Sequence, residues 1–298
     1  MRPARMNDER QSDGAKKQQA DNPRANNPRA NIPRSMRPAL NGTPPLPSRD
    51  GRSCARARVY CLPHAGGSAG TFRSWQQLLA PHIEICPVEY PGHGSRLGEP
   101  LLDTIEEVAR SVADVVAAGP GVPYALFGHS MGSLVAFEAC HLIAARRAVM
   151  PRLLIASAHR PPRAPRSTPP MHDASHTEFI AHLRELGATP PEVFRSPDLL
   201  ELMLPILRAD FRACETYKPC DRPGLHINIA AYGGLTDTDT SRDRLLGWQQ
   251  ETAGECVVRM FPGGHFFVSD CADRVVAMLA RDFVGALATE PTKPCAVE

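Results

Sequence analysis

The sequence predicts an α/β fold, with a mainly parallel central sheet, helices on both faces and one helical insertion. Three observations carry that expectation. From about residue 58 onward, short apolar runs of strand length alternate with stretches of helical periodicity. Such alternation is what βαβ units, and hence parallel sheets, require. It breaks once, over 159–224, in a proline-rich and then helical stretch. Finally, Gly128-His-Ser-Met-Gly132 joins an apolar strand to a helix with almost no loop between them.

The elements follow in order. Arg58–Leu62 is a short apolar run stopped by Pro63, and so a strand. Thr71–Leu79 reads as a short helix, and Ile83–Tyr90 as a second strand ending at Pro91-Gly92. Asp103 or Thr104 can cap the next helix, with Glu106 or Glu107 three residues on to complete a capping box. That helix puts Ile105, Val108, Ala109, Val112, Val115 and Val116 on one face, and Gly119-Pro-Gly121 stops it. Tyr124–Phe127 is a strand, Ser130 to about Ala145 a helix, and Leu153–Ala158 another strand. The insertion over 159–224 opens with the run Pro161–Pro170. It then gives helical patterns at Thr177–Leu186 and Pro197–Tyr217, broken at Pro190-Pro191, in the place where a lid across the sheet would sit. Strand character resumes at Leu225–Tyr232 and Cys256–Phe261, and a final helix runs from about Ser269 to Leu287.

Composition bounds the function. The 298 residues carry 34 Lys and Arg against 32 Asp and Glu, a net +2. Residues 1–50 hold ten of the basic and five of the acidic groups, a charge of +5, which leaves −3 for the rest. A slightly acidic folded part disfavours nucleic-acid binding. The first aromatic residue is Tyr60, and Ile32, Leu40, Leu46 and Val59 are the only Leu, Ile or Val residues before it. So poor a segment cannot offset chain entropy by burial, and residues 1–55 are expected to be a disordered basic tail, while 291–298 is read as a short C-terminal tail. The tail repeats Asp21-Asn-Pro-Arg-Ala25, Asn26-Asn-Pro-Arg-Ala30 and Asn31-Ile-Pro-Arg-Ser35. It is either a docking arm for an acidic partner or a dispensable extension. The remaining 56–290 suffices for one large domain with a core of its own.

No apolar stretch approaches the ~18 residues of a membrane helix, and no apolar segment follows the charged N-terminus as a secretory signal would need. The nine cysteines are odd in number and scattered without a CxxC pair. Cys61, Cys86 and Cys140 sit inside apolar runs, as reduced core cysteines do. No metal, cofactor or disulfide framework is expected, and a reducing cytoplasm fits.

The chemistry centres on Ser130. A serine on a sharp strand-to-helix turn takes a strained backbone that pushes its hydroxyl clear of the sheet, and glycines two residues either side avoid collision with neighbouring backbone. Its base should lie beyond the last strand. His265, in Phe261-Pro-Gly-Gly-His-Phe-Phe267, follows the Cys256–Phe261 strand in a glycine turn. His129 lies inside the elbow, His159 precedes any acid in order, and His172, His176 and His182 fall in the insertion. The acid should end the strand before, where Tyr232-Gly-Gly-Leu-Thr-Asp237 offers Asp237, with Asp239 the near rival. An oxyanion needs two donors: the N–H of Met131, just after the nucleophile, and the N–H of Ala65, in Pro63-His-Ala-Gly-Gly-Ser68. His64 could serve as a second base or order that loop. On the residues alone the reading stops at a serine hydrolase with a lid.

Five motifs in one order resemble a known family. Pro63–Ser68, Tyr90-Pro-Gly-His-Gly-Ser-Arg96, Phe127–Gly132, Leu204-Pro-Ile-Leu-Arg-Ala-Asp-Phe211 and Phe261–Phe267 together are similar to the type II, or editing, thioesterases of polyketide and nonribosomal peptide synthesis, α/β-hydrolases that stand free of their synthases. The likeness spans about 59–285, and Gly233–Asp237 falls where that family keeps its acid. It implies an α/β-hydrolase fold with a lid, and hydrolysis of acyl groups from the phosphopantetheine arm of acyl or peptidyl carrier proteins, without cofactor, by a monomer. The 1–55 tail has no counterpart in the usual pattern, and Pro161–Pro170 and the rest of the lid are individual. Alternatives are a carboxylesterase or lipase, an acyltransferase, and a carrier-binding module without catalysis. A −3 domain must meet an acidic carrier protein through local basic groups, for which Arg96, Arg160, Arg163 and Arg166 are candidates. The apolar helix from Leu199 to Leu207, Met203 included, either packs on the core or also lines an acyl channel.

Overall fold

Six strands form one sheet in the order β2-β1-β3-β4-β5-β6, and every neighbouring pair is parallel. This computed structural model describes residues 55–289 except Ala188. The expected 1–55 tail and 291–298 end lie, but for Ala55, outside the described residues. The strands are β1 (Ala57–Leu62), β2 (Ile83–Pro87), β3 (Tyr124–His129), β4 (Leu153–Ser157), β5 (Asn228–Gly234) and β6 (Cys256–Phe261).

Residue alternation sorts the strands' side chains into two cores. Tyr60 and Leu62 of β1, Leu126 of β3, Leu154 of β4 and Ile229 of β5 face α1 (Ile105–Ala117) and α2 (Met131–Ala145). Val59, Cys61, Phe127, Ile155 and Tyr232 face the other way. Opposite them lies the last helix, Ala272–Ala288, through Val275, Val276, Leu279 and Phe283. Both faces of the sheet are therefore dry, as a parallel sheet requires. Helix α1 starts where its sequence says, with the Thr104 hydroxyl accepting the Glu107 N–H at 3.3 Å. Helix α2 is apolar nearly all round and is buried nearly all round, from Met131 to Cys140.

Between β4 and β5 lies the insertion, with α3 (His176–Leu186), α4 (Pro191–Arg195) and α5 (Pro197–Thr216). It has a small core of its own, in which Phe179, Leu183, Leu204 and Leu207 are buried and Met203 packs alongside. Short α6 (Arg242–Leu246) precedes β6, and α7 (Phe267–Asp270) precedes α8 (Ala272–Ala288).

Four elements differ from the sequence reading. Thr71–Leu79 is not one helix but two 3₁₀ turns, Ala69–Phe72 and Trp75–Leu78. They bring Phe72 and Trp75, three residues apart, against each other and Phe127, with ring centroids 4.9–5.8 Å apart. The second strand ends at Pro87 rather than Tyr90, the last ladder bond running from the Val88 N–H to the Cys61 carbonyl at 2.9 Å. The fifth strand starts at Asn228, Leu225 forming only a bridge to Thr252. The final helix is broken at Cys271, whose backbone leaves the helical region.

Chain order reverses between β1 and β3, since β1 steps outward to β2 before the chain returns. Loops after the two strands diverge there, and the crevice at their carboxyl ends is where open α/β sheets bind ligands. The loop after β1 holds Ala65, and the turn after β3 holds Ser130.

Candidate active site

Ser130 occupies the tight turn between β3 and α2 with φ 56° and ψ −118°, a region that non-glycine residues rarely enter. Its N–H donates to the Ser157 carbonyl at 2.7 Å, and its own carbonyl accepts the Ser133 N–H at 2.9 Å. The turn is closed by its glycines: a Cβ on Gly128 would overlap the Gly132 carbonyl, and one on Gly132 would overlap the Leu62 carbonyl. The Ser133 hydroxyl donates toward the Gly128 and Ser157 carbonyls at 2.9 and 2.8 Å, pinning α2 to β3 and β4.

His265 reaches the same point from the loop after β6. Nε2 of His265 lies 3.0 Å from Ser130 Oγ, and Nδ1 lies 2.8 Å from Asp237 Oδ2. Asp237 follows β5, and its loop packs directly on the His265 loop. The Leu235 and Thr236 N–H groups donate to the Phe261 and Gly263 carbonyls at 2.8 and 3.0 Å. Gly234 permits this approach, because a Cβ there would overlap the Gly264 carbonyl. The Phe266 ring stands edge-on to His265 and to His64, at 5.0 and 5.2 Å.

Three other imidazoles around the triad are held neutral. Burial, and then the charge of His265, holds the His64 pKa down at about 4. Burial likewise puts His129 well below the usual histidine range, with His265 and His64 adding to the effect. His159 is held at about 3 by burial and then by the Arg160 charge. These three rings are neutral around pH 7. Burial pushes the Asp237 carboxyl upward, but the hydrogen bond and charge of His265, with the Asp239 N–H at 3.1 Å, outweigh it and leave its pKa lowered. Asp237 is therefore a carboxylate.

Two backbone donors complete the arrangement. Met131 is the first residue of α2, so its N–H has no acceptor within the helix. Ala65 lies in a turn in which Gly67 N–H donates to the His64 carbonyl at 2.9 Å and Gly66 N–H donates to Asp210, while the Ala65 N–H takes no acceptor among the described residues. Among the described residues, no three His, Cys, Asp or Glu side chains gather as a metal site. No helix there is long and apolar enough to cross a membrane.

The thioesterase-domain family profile matches residues 57–283. The chain belongs to the thioesterase family, among its type II members. The gramicidin S biosynthesis protein GrsT of Aneurinibacillus migulanus is 31% identical over 229 residues, 77% of this chain and 90% of that protein. Thioesterase PikA5 of Streptomyces venezuelae is 36% identical over 217 residues, 72% of this chain and 76% of that one. The solved structure of the type II thioesterase BorB from the borrelidin biosynthetic cluster superposes with a TM-score of 0.71 at 34% identity, covering 79% of this chain and 95% of that one. The α/β-hydrolase fold and the thioester hydrolase class expected from the motifs both hold.

Within this thioesterase, Asp237 and not Asp239 meets His265. Asp239 turns outward to Ser167 and to Arg244, 3.3 Å away. The four arginines divide as well. Arg96 holds Glu99 through two nitrogens, Arg163 is paired with buried Glu251, and Arg166 lies 3.1 Å from Glu215. Arg160 differs: its Nε donates to the Ala164 carbonyl at 3.1 Å, and among the described residues no carboxylate forms an ion pair with it. The sequence reading assigned no role to His93 or Asp210, although both sit in the motifs that carried the resemblance. An aspartate on the buried face of an apolar helix, three residues after Leu207, was the available signal.

Proposed function

We propose that Ser130, His265 and Asp237 form a catalytic triad that hydrolyses acyl thioesters presented on the phosphopantetheine arm of carrier proteins in polyketide or nonribosomal peptide synthesis. The observation that carries this reading is the unbroken hydrogen-bonded chain from Ser130 Oγ through the two nitrogens of His265 to Asp237. With Nδ1–H donated to the Asp237 carboxylate, Nε2 is left to accept the Ser130 proton as Oγ attacks the thioester carbonyl. Asp237 fixes that tautomer and stabilises the imidazolium. The N–H groups of Ala65 and Met131 receive the charge that develops on the carbonyl oxygen. The carbon–sulfur bond breaks and the thiol leaves with the proton from His265. Water, activated by the same ring, then releases the acid and restores Ser130. A thiolate leaves readily, so acid assistance matters less than it would for an amide.

The named relatives of gramicidin S and borrelidin biosynthesis support the pathway class. Cys61, Cys86 and Cys140, buried and unpaired, support action in a reducing cytoplasm. Arg160, without an ion pair among the described residues, is the basic group we assign to meeting an acidic partner. The test compares one acyl group on two leaving groups: propionyl on a carrier protein's phosphopantetheine arm, and propionyl p-nitrophenyl ester. The expected kcat/KM is at least tenfold higher for the carrier thioester. A clear preference for the oxygen ester would replace this reading by a carboxylesterase.

A further inference from the structure

Asp210 and His93 make a second buried ionic contact, about which the triad says nothing. Asp210 projects from α5 of the insertion, and His93 from the loop after β2; their side chains are 1% and 4% exposed. His93 Nε2 lies 2.9 Å from Asp210 Oδ2. That same oxygen accepts the Gly66 N–H at 2.7 Å, in the turn that carries Ala65. His93 Nδ1 lies 3.0 Å from the Pro91 carbonyl.

Counting donors decides the protonation state. A carbonyl can only accept, so Nδ1 must carry a hydrogen. A neutral ring would then offer Asp210 a lone pair, which a carboxylate cannot use, and so the Nε2–Oδ2 contact needs a second proton. Asp210 Oδ1 is buried with no hydrogen-bond partner, so a proton placed there would have nothing to donate to. The proton lies between Nε2 and Oδ2. The field agrees: burial opposes charge on His93, but Asp210, the Pro91 carbonyl and Glu89 together raise its pKa above the ordinary value. Tyr90 and Cys214, the other titratable groups facing Asp210, are pushed upward by burial and stay neutral.

The turn is held at few other points. Tyr90 hydroxyl donates to the Pro63 carbonyl at 3.2 Å, and Gly67 N–H closes the turn on His64. Gly66 itself has φ +71°, and a Cβ on it would overlap Leu207 of α5. Helix α5 therefore presses on this turn with Leu207 and holds its N–H with Asp210, one helical turn further on.

We propose that His93 and Asp210 are positioning residues for thioester hydrolysis: a singly protonated pair that locks the Ala65–Gly66 turn to helix α5, so that the oxyanion donor is in place only when the insertion is docked. This rests on the reading of Ala65 given above. Because the pair is held by a proton, its grip is full at low pH and is lost as pH rises through the raised His93 pKa.

The experiment measures kcat and KM against pH with a small acyl thioester of N-acetylcysteamine, using the full chain. Asp210→Ala is expected to lower kcat by tenfold to a hundredfold with KM changed less than threefold, as for a misplaced oxyanion donor. His93→Ala should behave alike. His93→Gln, whose amide N–H can donate to Asp210 without titrating, should recover most of that loss and lack the alkaline fall of wild type. Wild-type kcat in Asp210→Ala, or an unchanged alkaline fall in His93→Gln, would overturn the proposal. Should the variants fail to fold, ¹⁵N spectra of the histidine-labelled wild type at about pH 6 decide it: a His93 ring whose Nδ1 and Nε2 both carry or share a proton supports the pair, and a ring with a free Nε2 lone pair refutes it. If wild type does not hydrolyse the thioester, the functional reading fails on its own, and the spectrum still judges the pair.

Discussion

The strand ends and the insertion meet at the candidate site, yet they are held by different physics. Ser130, Asp237 and His265 sit on loops fixed by backbone contact, through glycines at 128, 132 and 234 where any side chain would overlap a carbonyl. Beneath them lie two apolar cores. The insertion has a small apolar core too, but it is held together and joined to the rest through buried carboxylates. Glu215 accepts the Met171 and His172 N–H groups at 2.8 Å and lies beside His172 and Arg166. Glu138, buried on α2, binds Tyr217 and Arg222. Asp210 holds His93 and Gly66. Contacts fixed by shape do not respond to pH or salt, whereas contacts made by buried charge do. The candidate site is thus built on a platform of loops fixed by glycine contacts and completed by a cap, the insertion, through its buried charge.

Breaking the platform's chemistry gives the largest effect. Asp237→Asn keeps the shape but offers His265 a donor or an oxygen without charge, leaving the ring free to take the wrong tautomer. The expected fall in kcat is on the order of 10⁴-fold with the thermal midpoint little changed. A fall under tenfold would mean Asp237 is not the acid. Stability has a pH signature too: because the folded Asp237 pKa is lowered, its contribution is present above the ordinary carboxylate range and is lost as pH falls through the lowered value.

Breaking the cap sharpens the comparison. Glu215→Ala leaves Arg166 and several N–H groups without their partner, a cost of about 3–5 kcal/mol. That loss should appear as local opening, since few of these contacts reach the sheet. Hydrogen exchange is expected to accelerate across 159–217 while β1, β3 and β4 keep their protection. Uniform loss of protection would show that cap and platform unfold together.

The smallest effect belongs to the rim. Arg160→Gln removes a guanidinium with no ion-pair partner among the described residues, and the KM for a loaded carrier protein should rise about threefold to tenfold, more steeply at low salt. Equal KM values at low and high salt in wild type would remove Arg160 from docking.

The same division explains what could be read from the sequence. Ser130, His265 and Asp237 were legible because glycine pairs and strand-to-loop boundaries mark them, and local chain geometry places them. So were β1 and β6 as short apolar runs, α1 by its 3.6-residue spacing, and α2 as an apolar stretch straight after the Gly128–Gly132 turn. The helix expected over 71–79 was not found, because Phe72 and Trp75 satisfy a helical spacing equally well from two tight turns. Asp210 and His93 were illegible as a pair: they are 117 residues apart, and only the docking of α5 on the 90–96 loop joins them. Likewise, four similar arginines in the sequence become one unpaired group once Glu99, Glu251 and Glu215 are placed.

The most direct measurement of the central claim is intact-protein mass spectrometry of a propionyl-loaded carrier protein incubated with wild-type enzyme and with Ser130→Ala. Wild type should strip the acyl mass from the carrier and Ser130→Ala should leave it in place, both proteins melting at the same temperature. Loss of the acyl group at the wild-type rate with Ser130→Ala would contradict the assignment of the nucleophile and, with it, the mechanism built on this site.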